Sequence, residues 1–455
     1  MSRHLDFKTL VRKYDIPAPR YTSYPTVPCW DQAPSSSEWI ASVRSTLQQQ
    51  GERSWSLYLH IPFCESLCTF CGCNTTITRK HEVESPYVEQ VLAEWKTYLA
   101  SAPELRERPL SVLHLGGGTP TFLSPENLKR LITPILDATC RTAHFEGSVE
   151  VDPRRTTRAH LEMLRELGFN RVSLGVQDLD PEVQRVIHRN QTLEQTLEIT
   201  ETARKLGFVS VNWDLIYGLP LQTLEKIERT VEATLLARPD RIALYSFALV
   251  PWIKPQQRIF KDSDLPVGED KRALYERARR LLLEKGGYRE IGMDHFALPT
   301  DGLSVAMDRG QLHRNFMGYV DHRTDLLLGL GVSAISETPR HFHQNEKVLN
   351  LYAQKVLAGE IATHRGHSLT DEDQEAREQI LTLMTRWEVE IPSSHQREGL
   401  GQMLSEMIAD GLVQLEGGRL RVLPEGKPFL RNACMALDRR LRARQPQARV
   451  FSQSL

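Results

Sequence analysis

Along the chain, short runs of β-branched and aromatic residues alternate with segments whose apolar positions recur every three to four residues. Six of the short runs predict strands: 55–61, 111–115, 148–151, 171–176, 210–216 and 241–247. Between the second and third, Leu128, Leu131, Ile132, Ile135 and Leu136 follow the i, i+3, i+4, i+7, i+8 stripe of a helix lying on a sheet, and Ile227, Val231 and Leu235 behave likewise. Strand and helix alternating through short links predict a parallel sheet. Six such units predict an α/β fold, a partial (β/α)6 TIM-like barrel.

After about residue 365 the pattern turns helical and charged over 372–387 and 396–410, then gives a hairpin over 412–422 and a further helical stretch over 424–444. Helices followed by a hairpin predict a mainly helical, winged-helix-like domain over 366–455. Residues 1–50, with Pro25 and Pro28, read as an N-terminal arm over the active-site mouth, leaving 51–365 as the barrel with an extension. A chain of 455 residues has room for one large domain and a smaller one.

Charge adds little: 57 basic against 58 acidic side chains leave a formal net charge of -1, so no bulk attraction to nucleic acid or to an anionic membrane is expected. Arg439, Arg440, Arg442, Arg444 and Arg449 accordingly read as a solvated face or a substrate lid. The N-terminus lacks an apolar signal core and no run of about 18 apolar residues occurs, so a cytoplasmic protein with reduced thiols is expected.

The cysteines change the picture most. Four of seven, Cys64, Cys68, Cys71 and Cys73, fall within ten residues. The first three form C-x-x-x-C-x-x-C, which can hold three irons of a 4Fe-4S cube while leaving the fourth without a protein ligand. Structural zinc is the other reading, although it normally draws two ligand pairs from separated segments. The cysteine loop follows the first predicted strand, and four further loops sit in the same phase. Gly116-Gly-Gly-Thr-Pro-Thr121 follows the second strand, Glu150-Val-Asp-Pro153 ends the third, Gln177-Asp178 ends the fourth, and Asp214 with Tyr217-Gly-Leu-Pro220 closes the fifth. In parallel α/β barrels that rim is where active sites are built. On the first strand, period-two alternation puts Tyr58 and His60 on one face.

A cysteine loop after a first strand and a glycine run after a second resemble the radical S-adenosylmethionine superfamily. More closely, the chain resembles the oxygen-independent coproporphyrinogen III oxidase (dehydrogenase) family of haem biosynthesis. The residues carrying this are Pro19-Arg-Tyr-Thr-Ser-Tyr-Pro-Thr26, Tyr58-Leu-His-Ile-Pro-Phe-Cys64 with Cys73, Gly116–Thr121, Glu150-Val-Asp-Pro-Arg154, Gly175-Val-Gln-Asp178, Asp214-Leu-Ile-Tyr-Gly-Leu-Pro220, Gly292-Met-Asp-His-Phe296, Leu312-His-Arg-Asn-Phe316, and Asn432 to Cys434.

The resemblance implies a radical oxidoreductase that converts two propionates of coproporphyrinogen III to vinyl groups through a 5'-deoxyadenosyl radical, giving protoporphyrinogen IX without oxygen. It implies Cys64, Cys68 and Cys71 as ligands of one 4Fe-4S cluster, and two S-adenosylmethionine molecules in one site. The first would be contacted by Tyr58, Gly117, Glu150 and Ile335; the second by Phe70, Gly118, Thr119, Gln177, Arg189, Asp214 and Ala248. Tyr58, His60 and Cys73 are the catalytic candidates, with Cys73 outside the iron ligands. Four propionates call for cations, for which Arg20, His313 and Arg314 are candidates. A reductant such as flavodoxin or ferredoxin is implied, and a monomer that binds neither nucleic acid nor membrane is expected. Met317 stands where the family carries glutamine, and the 250–255 segment departs from the family's form.

Three alternatives stand beside this reading. One is a haem-trafficking paralogue, expected to lack Cys73 and the Pro19 to Thr26 arm; another is a haem-acting radical methyltransferase; the third is a zinc-stabilised winged-helix binding protein.

Overall fold

The computed structural model describes residues 6–49, 54–443 and 450–454; Arg444 and Arg449 of the C-terminal basic run lie outside them. Two short helices come first, α1 (Phe7–Tyr14) and α2 (Ser36–Gln48). A twelve-stranded sheet follows: β1 (Trp55–Ile61), β2 (Leu110–Gly117), β3 (Arg141–Val151), β4 (Phe169–Gln177), β5 (Ser210–Tyr217), β6 (Arg241–Ser246), β7 (Arg289–Ile291), β8 (His295–Ala297), β9 (Leu326–Leu330), β10 (Ile335–Glu337), β11 (His341–Asn345) and β12 (Thr363–Ser368). Their order across the sheet is β12-β11-β10-β9-β1-β2-β3-β4-β5-β6-β8-β7.

Strands β1 to β6 are parallel neighbours, as the six-unit pattern predicts. The crossovers are α3 (Glu84–Ser101), α4 (Pro125–Asp137), α5 (Arg158–Glu166), α6 (Leu193–Lys205) and α7 (Leu224–Ala237), with α8 (Gly268–Glu284) after β6. The predicted stripe on α4 is buried at all five positions. The sheet stays open, because antiparallel strands extend both ends of the parallel segment; β9 adds a seventh parallel strand against β1. Three-residue strands such as β7, β8 and β10 are too short to show a period.

Residues 6–49 divide between two cores. Trp39, Val43 and Leu47 of α2 pack into the sheet core, where the Trp39 ring stacks on His343 at 4.9 Å. Leu10, Val11, Tyr14, Tyr21 and Tyr24 instead join a second core with Ile380, Leu383 and Leu430 of α9 (Asp371–Arg386) and α10 (Leu430–Leu437). Strand β12 carries the sheet past residue 365, to Ser368, and the C-terminal segment follows. Its hairpin pairs 413–416 with 419–422, and a third strand, Glu388–Glu390, joins it. Among the described residues no helix is long and apolar enough to cross a membrane.

Candidate active site

The C-terminal ends of β1 to β6 open into a cavity of about 420 Å³. Of the residues singled out by sequence, Cys64, Cys68, Phe70, Cys71, Cys73, Gly117, Gly118, Thr119, Glu150, Gln177, Arg189, Asp214 and Ala248 line it. Tyr58, His60 and Ile335 do not. The first two are 7% exposed and lie in a layer behind the β2 glycines, while Ile335 pairs with Gln344 across the antiparallel extension.

The cysteine loop is held from several sides. Backbone bonds from Thr69 N to Ile187 O (3.1 Å) and from Cys71 N to Cys68 O (3.1 Å) set its turn. Thr119 Oγ1 lies 3.4 Å from Cys64 Sγ. Arg189 Nη1 lies 3.6 Å, and Arg154 Nη2 3.7 Å, from Cys68 Sγ. The 250–255 departure from the family pattern opens a segment that grips this loop: Lys254 Nζ donates to Cys73 O (2.7 Å), Gln256 to Cys71 O (3.0 Å) and Gln257 to Phe70 O (3.2 Å). Sequence reasoning missed these anchors; the available signal was paired glutamines in a proline-bounded loop after the last barrel strand.

Burial pushes the Cys64 thiol up to about 11. Cys71 moves the other way, below its ordinary value, because the Cys73 thiol and backbone N–H both hydrogen-bond to it, and Cys73 in turn rises. Among the described residues no three His, Cys, Asp or Glu side chains converge as closely as a single chelated ion requires. A four-iron cube has separate corners and accepts thiols spread around a cavity wall. The donor set fits the cube: three soft sulfurs beside two guanidinium groups that offset the cluster's negative charge.

Arg189 is 7% exposed. It donates to Gly175 O (2.5 Å) and to Asp152 (3.3 Å), and its buried Nε has no partner. Asp152 falls to about 2: burial opposes the shift, but Arg189 and Arg154 outweigh it. Gly175 is glycine because a Cβ there would come 2.9 Å from both Arg189 Nη2 and Gln177 Nε2. Gln177 itself sits at φ 69°, a strained conformation of the kind found at ligand sites.

The β2 glycines have packing reasons of their own. A Cβ on Gly117 (φ +116°) would lie 2.7 Å from His60 Cε1, and one on Gly118 would lie 2.7 Å from Phe63 O. They let β2 press against β1 and the cysteine loop. His60 Nε2 is 3.0 Å from the Asn74 carbonyl, so that nitrogen carries the proton and Nδ1 accepts from Tyr58 Oη at 3.0 Å. Burial depresses His60, keeping the ring neutral. Tyr58 stacks on His114 at 5.8 Å; His114 Nε2 is 3.4 Å from Glu150 Oε1, and Gly117 N donates to Glu150 Oε2 at 3.3 Å. Burial raises the Glu150 carboxyl, but His114 and the Gly117 N–H outweigh it and hold Glu150 below its usual value. Asp214, bonded to Ser173 (2.9 Å) and Asn212 (2.8 Å), is pushed up to about 6 by burial and by Glu150. Of these cavity carboxyls, Glu150 and Asp152 are therefore held ionised, while Asp214 titrates closer to neutral pH.

Among the propionate candidates, Arg20 reaches the cavity and donates to Ser246 O at 2.8 Å. Arg314 is buried 3.5 Å from Asp294, and His313, driven to about 3 by burial and by Arg323 and Arg377, is not part of this cavity wall. Met317 packs with Tyr58, Leu327 and Ala334 and faces a smaller cavity of about 130 Å³ beneath Asp214.

Residues 58–234 match the family model of the Radical SAM superfamily. The oxygen-independent coproporphyrinogen III oxidases of Pseudomonas aeruginosa and Escherichia coli are each 38% identical to the chain, over 444 and 442 residues, with 95% of this chain and 95% of each relative covered. The solved structure of E. coli coproporphyrinogen III oxidase, described as a radical SAM enzyme, superposes with a TM-score of 0.88 at 36% identity, covering 96% of this chain and 100% of that one. A likeness that extends beyond the cysteine-bearing sheet to the arm and the C-terminal helices decides more than the superfamily: the chain belongs to the oxygen-independent coproporphyrinogen III oxidase family of the radical S-adenosylmethionine superfamily.

Proposed function

We infer that this protein carries out the oxygen-independent oxidative decarboxylation of coproporphyrinogen III, converting two propionate side chains to vinyl groups to give protoporphyrinogen IX in haem biosynthesis. The observation that carries this is the full-length likeness to relatives of that one activity. A 4Fe-4S cluster and S-adenosylmethionine together supply the one-electron chemistry that removes hydrogen from a propionate β-carbon. Cys64, Cys68 and Cys71 would hold the cluster, with Arg154 and Arg189 offsetting its charge next to Cys68.

Two S-adenosylmethionine molecules are part of the proposal. Glu150, kept ionised by His114, suits ribose hydroxyls or an ammonium group near Gly117. Gln177, Arg189 and Asp214 offer an amide, a guanidinium and a carboxyl on successive loops, a set suited to a second zwitterionic ligand with a ribose. Tyr58 and His60 act from behind the glycines, the neutral His60 ring fixing the Tyr58 hydroxyl. Cys73, at the cavity wall and outside the three cluster ligands, would serve as the hydrogen donor to the substrate. An external one-electron reductant such as flavodoxin or ferredoxin, a monomeric state and a cytoplasmic location complete the reading.

The test is anaerobic reconstitution with iron and sulfide, followed by incubation with reductant, S-adenosylmethionine and coproporphyrinogen III. Protoporphyrinogen IX formed together with 5'-deoxyadenosine and methionine is the expected result. A reconstituted protein that cleaves the cofactor yet leaves every propionate intact would sink the assignment.

A further inference from the structure

Beside the cluster cavity lies a second cavity of about 430 Å³, and the two share Arg20 and Ser246 in their walls. Aromatic and apolar side chains, among them Tyr217, Tyr275, Met293 and Trp387, form much of its surface. Into that surface are set Arg20, Arg272 and Arg431, of which Arg20 and Arg431 donate to carbonyls. Arg431, 5% exposed, donates to the carbonyls of Ala18, Pro19 (2.9 Å), Gln453 (3.1 Å) and Ser454 (2.9 Å). Carbonyls satisfy its donors without supplying a counter-charge. The hydrogen bond of Arg20 likewise ends on a carbonyl, that of Ser246. Arg272, 7% exposed, pairs with Glu276 and lies 4.4 Å over the Tyr275 ring, but its buried Nε has no partner.

The cations also repel one another. Lys271 falls to about 7 through burial and through its neighbours Arg20 and Arg431, and Arg431 falls to about 9 through burial and Arg20. Of the carboxylates on this wall, Asp294, which also faces Arg20, is engaged by His295 at 2.7 Å and Arg314 at 3.5 Å, Glu276 pairs with Arg272, and Glu290 pairs with Arg279 at 2.7 Å. Arg20 and Arg431, buried against carbonyls, are costly to keep charged there, and an anion entering the cavity offsets that cost. The cavity's mixture of aromatic wall and carboxylate-binding cations fits a flat apolar ring with acidic side chains.

We propose that this second cavity receives the non-reacting, carboxylate-bearing edge of the tetrapyrrole, with Arg272 and Arg431 binding propionates and Arg20 gripping the substrate where the two cavities meet. The proposal rests on the functional reading above and extends it. Substrate would span both cavities: one propionate at the cysteine loop, the others among the cations. The N-terminal arm and the 450–454 segment, tied together by Arg431, would form one wall of the substrate site.

Binding of coproporphyrin III, the oxidised and unreactive form of the substrate, to the reconstituted holoenzyme by fluorescence anisotropy tests this directly. Arg20→Gln and Arg272→Gln should each weaken binding roughly tenfold or more, as expected for loss of a charge-assisted contact. Arg20→Lys should recover part of the loss. The tetramethyl ester of coproporphyrin III should bind parent and variants alike. Both glutamine variants, with parental circular dichroism, binding coproporphyrin III as the parent does would overturn the proposal, as would an ester that loses affinity in step with the acid. A parent protein that binds coproporphyrin III through these arginines but forms no protoporphyrinogen would instead uphold the cavity and refute the activity.

Discussion

Glu94 offers a quantitative test of how the β1 scaffold is held. It lies on α3, 1% exposed, and accepts hydrogen bonds from Gly331 N (2.8 Å), Tyr352 Oη (2.6 Å) and Asn345 Nδ2 (2.6 Å). Gly331 packs against the His60 carbonyl, which also receives the Tyr87 hydroxyl at 2.5 Å, so this carboxylate sits one contact behind the site. Burial raises its pKa from 4.5 to about 7, and the three hydrogen bonds only partly oppose the rise. A carboxyl whose folded pKa exceeds its unfolded one binds its proton more tightly in the native state. Its contribution to stability is therefore most favourable below 4.5, declines between 4.5 and about 7, and is level above that. At ~1.4 kcal/mol per pH unit the full decline comes to about 3 kcal/mol.

Asp178 and Asp214 are also raised, each to about 6, so the parent profile alone does not isolate Glu94. Comparison with Glu94→Gln does. Urea unfolding followed by tryptophan fluorescence reports this core, because Trp39, Trp55, Trp95 and Trp213 all lie in it. Between pH 4.5 and 8 the variant should gain about 3 kcal/mol relative to the parent, whatever constant offset its amide introduces. Stability profiles of parent and variant that run parallel over that range would refute the buried-carboxylate reasoning.

Gly117→Ala should cost about 2–5 kcal/mol, the sum of positive-φ strain and a methyl group forced onto the His60 ring, and should abolish S-adenosylmethionine binding measured by calorimetry. With Asp214 near 6, S-adenosylmethionine affinity should weaken as pH falls through that value, and Asp214→Asn should bind weakly at every pH. Cys68→Ser should lose the iron-sulfur absorbance on reconstitution, whereas Cys73→Ser should retain it and lose turnover. Arg189→Gln, removing a cation 3.6 Å from Cys68 Sγ, should shift the cluster's midpoint potential negative on the order of 60 mV, the equivalent of a tenfold change for one electron, in a spectroelectrochemical titration.

The barrel strands and their helices were legible because each obeys one period over enough residues: β1, β2, β4, β5 and β6 appear within a few residues of their predicted positions. Strand β3 starts seven residues earlier than expected, at Arg141, where its first residues are mostly exposed and carry no alternating signal. Strands β7, β8 and β10 of the antiparallel extension were invisible for a related reason, since each is shorter than a readable period.

Chemistry-bearing residues that follow strands in one phase announced a common rim, and thirteen of the sixteen proposed site residues do line one cavity. Local order along the chain carries that information, because a parallel sheet turns strand ends that share a phase into neighbours in space. Contacts between remote segments carry no such trace. The grip of Lys254, Gln256 and Gln257 on the cysteine loop, the Glu94 knot behind His60, and the meeting of Arg20 with Arg431 across a separation of more than 400 residues exist only once the chain is packed. Burial then sets their charge states: water no longer screens the groups, so neighbours rather than residue type decide which carboxyl stays ionised and which cation lacks a counter-charge.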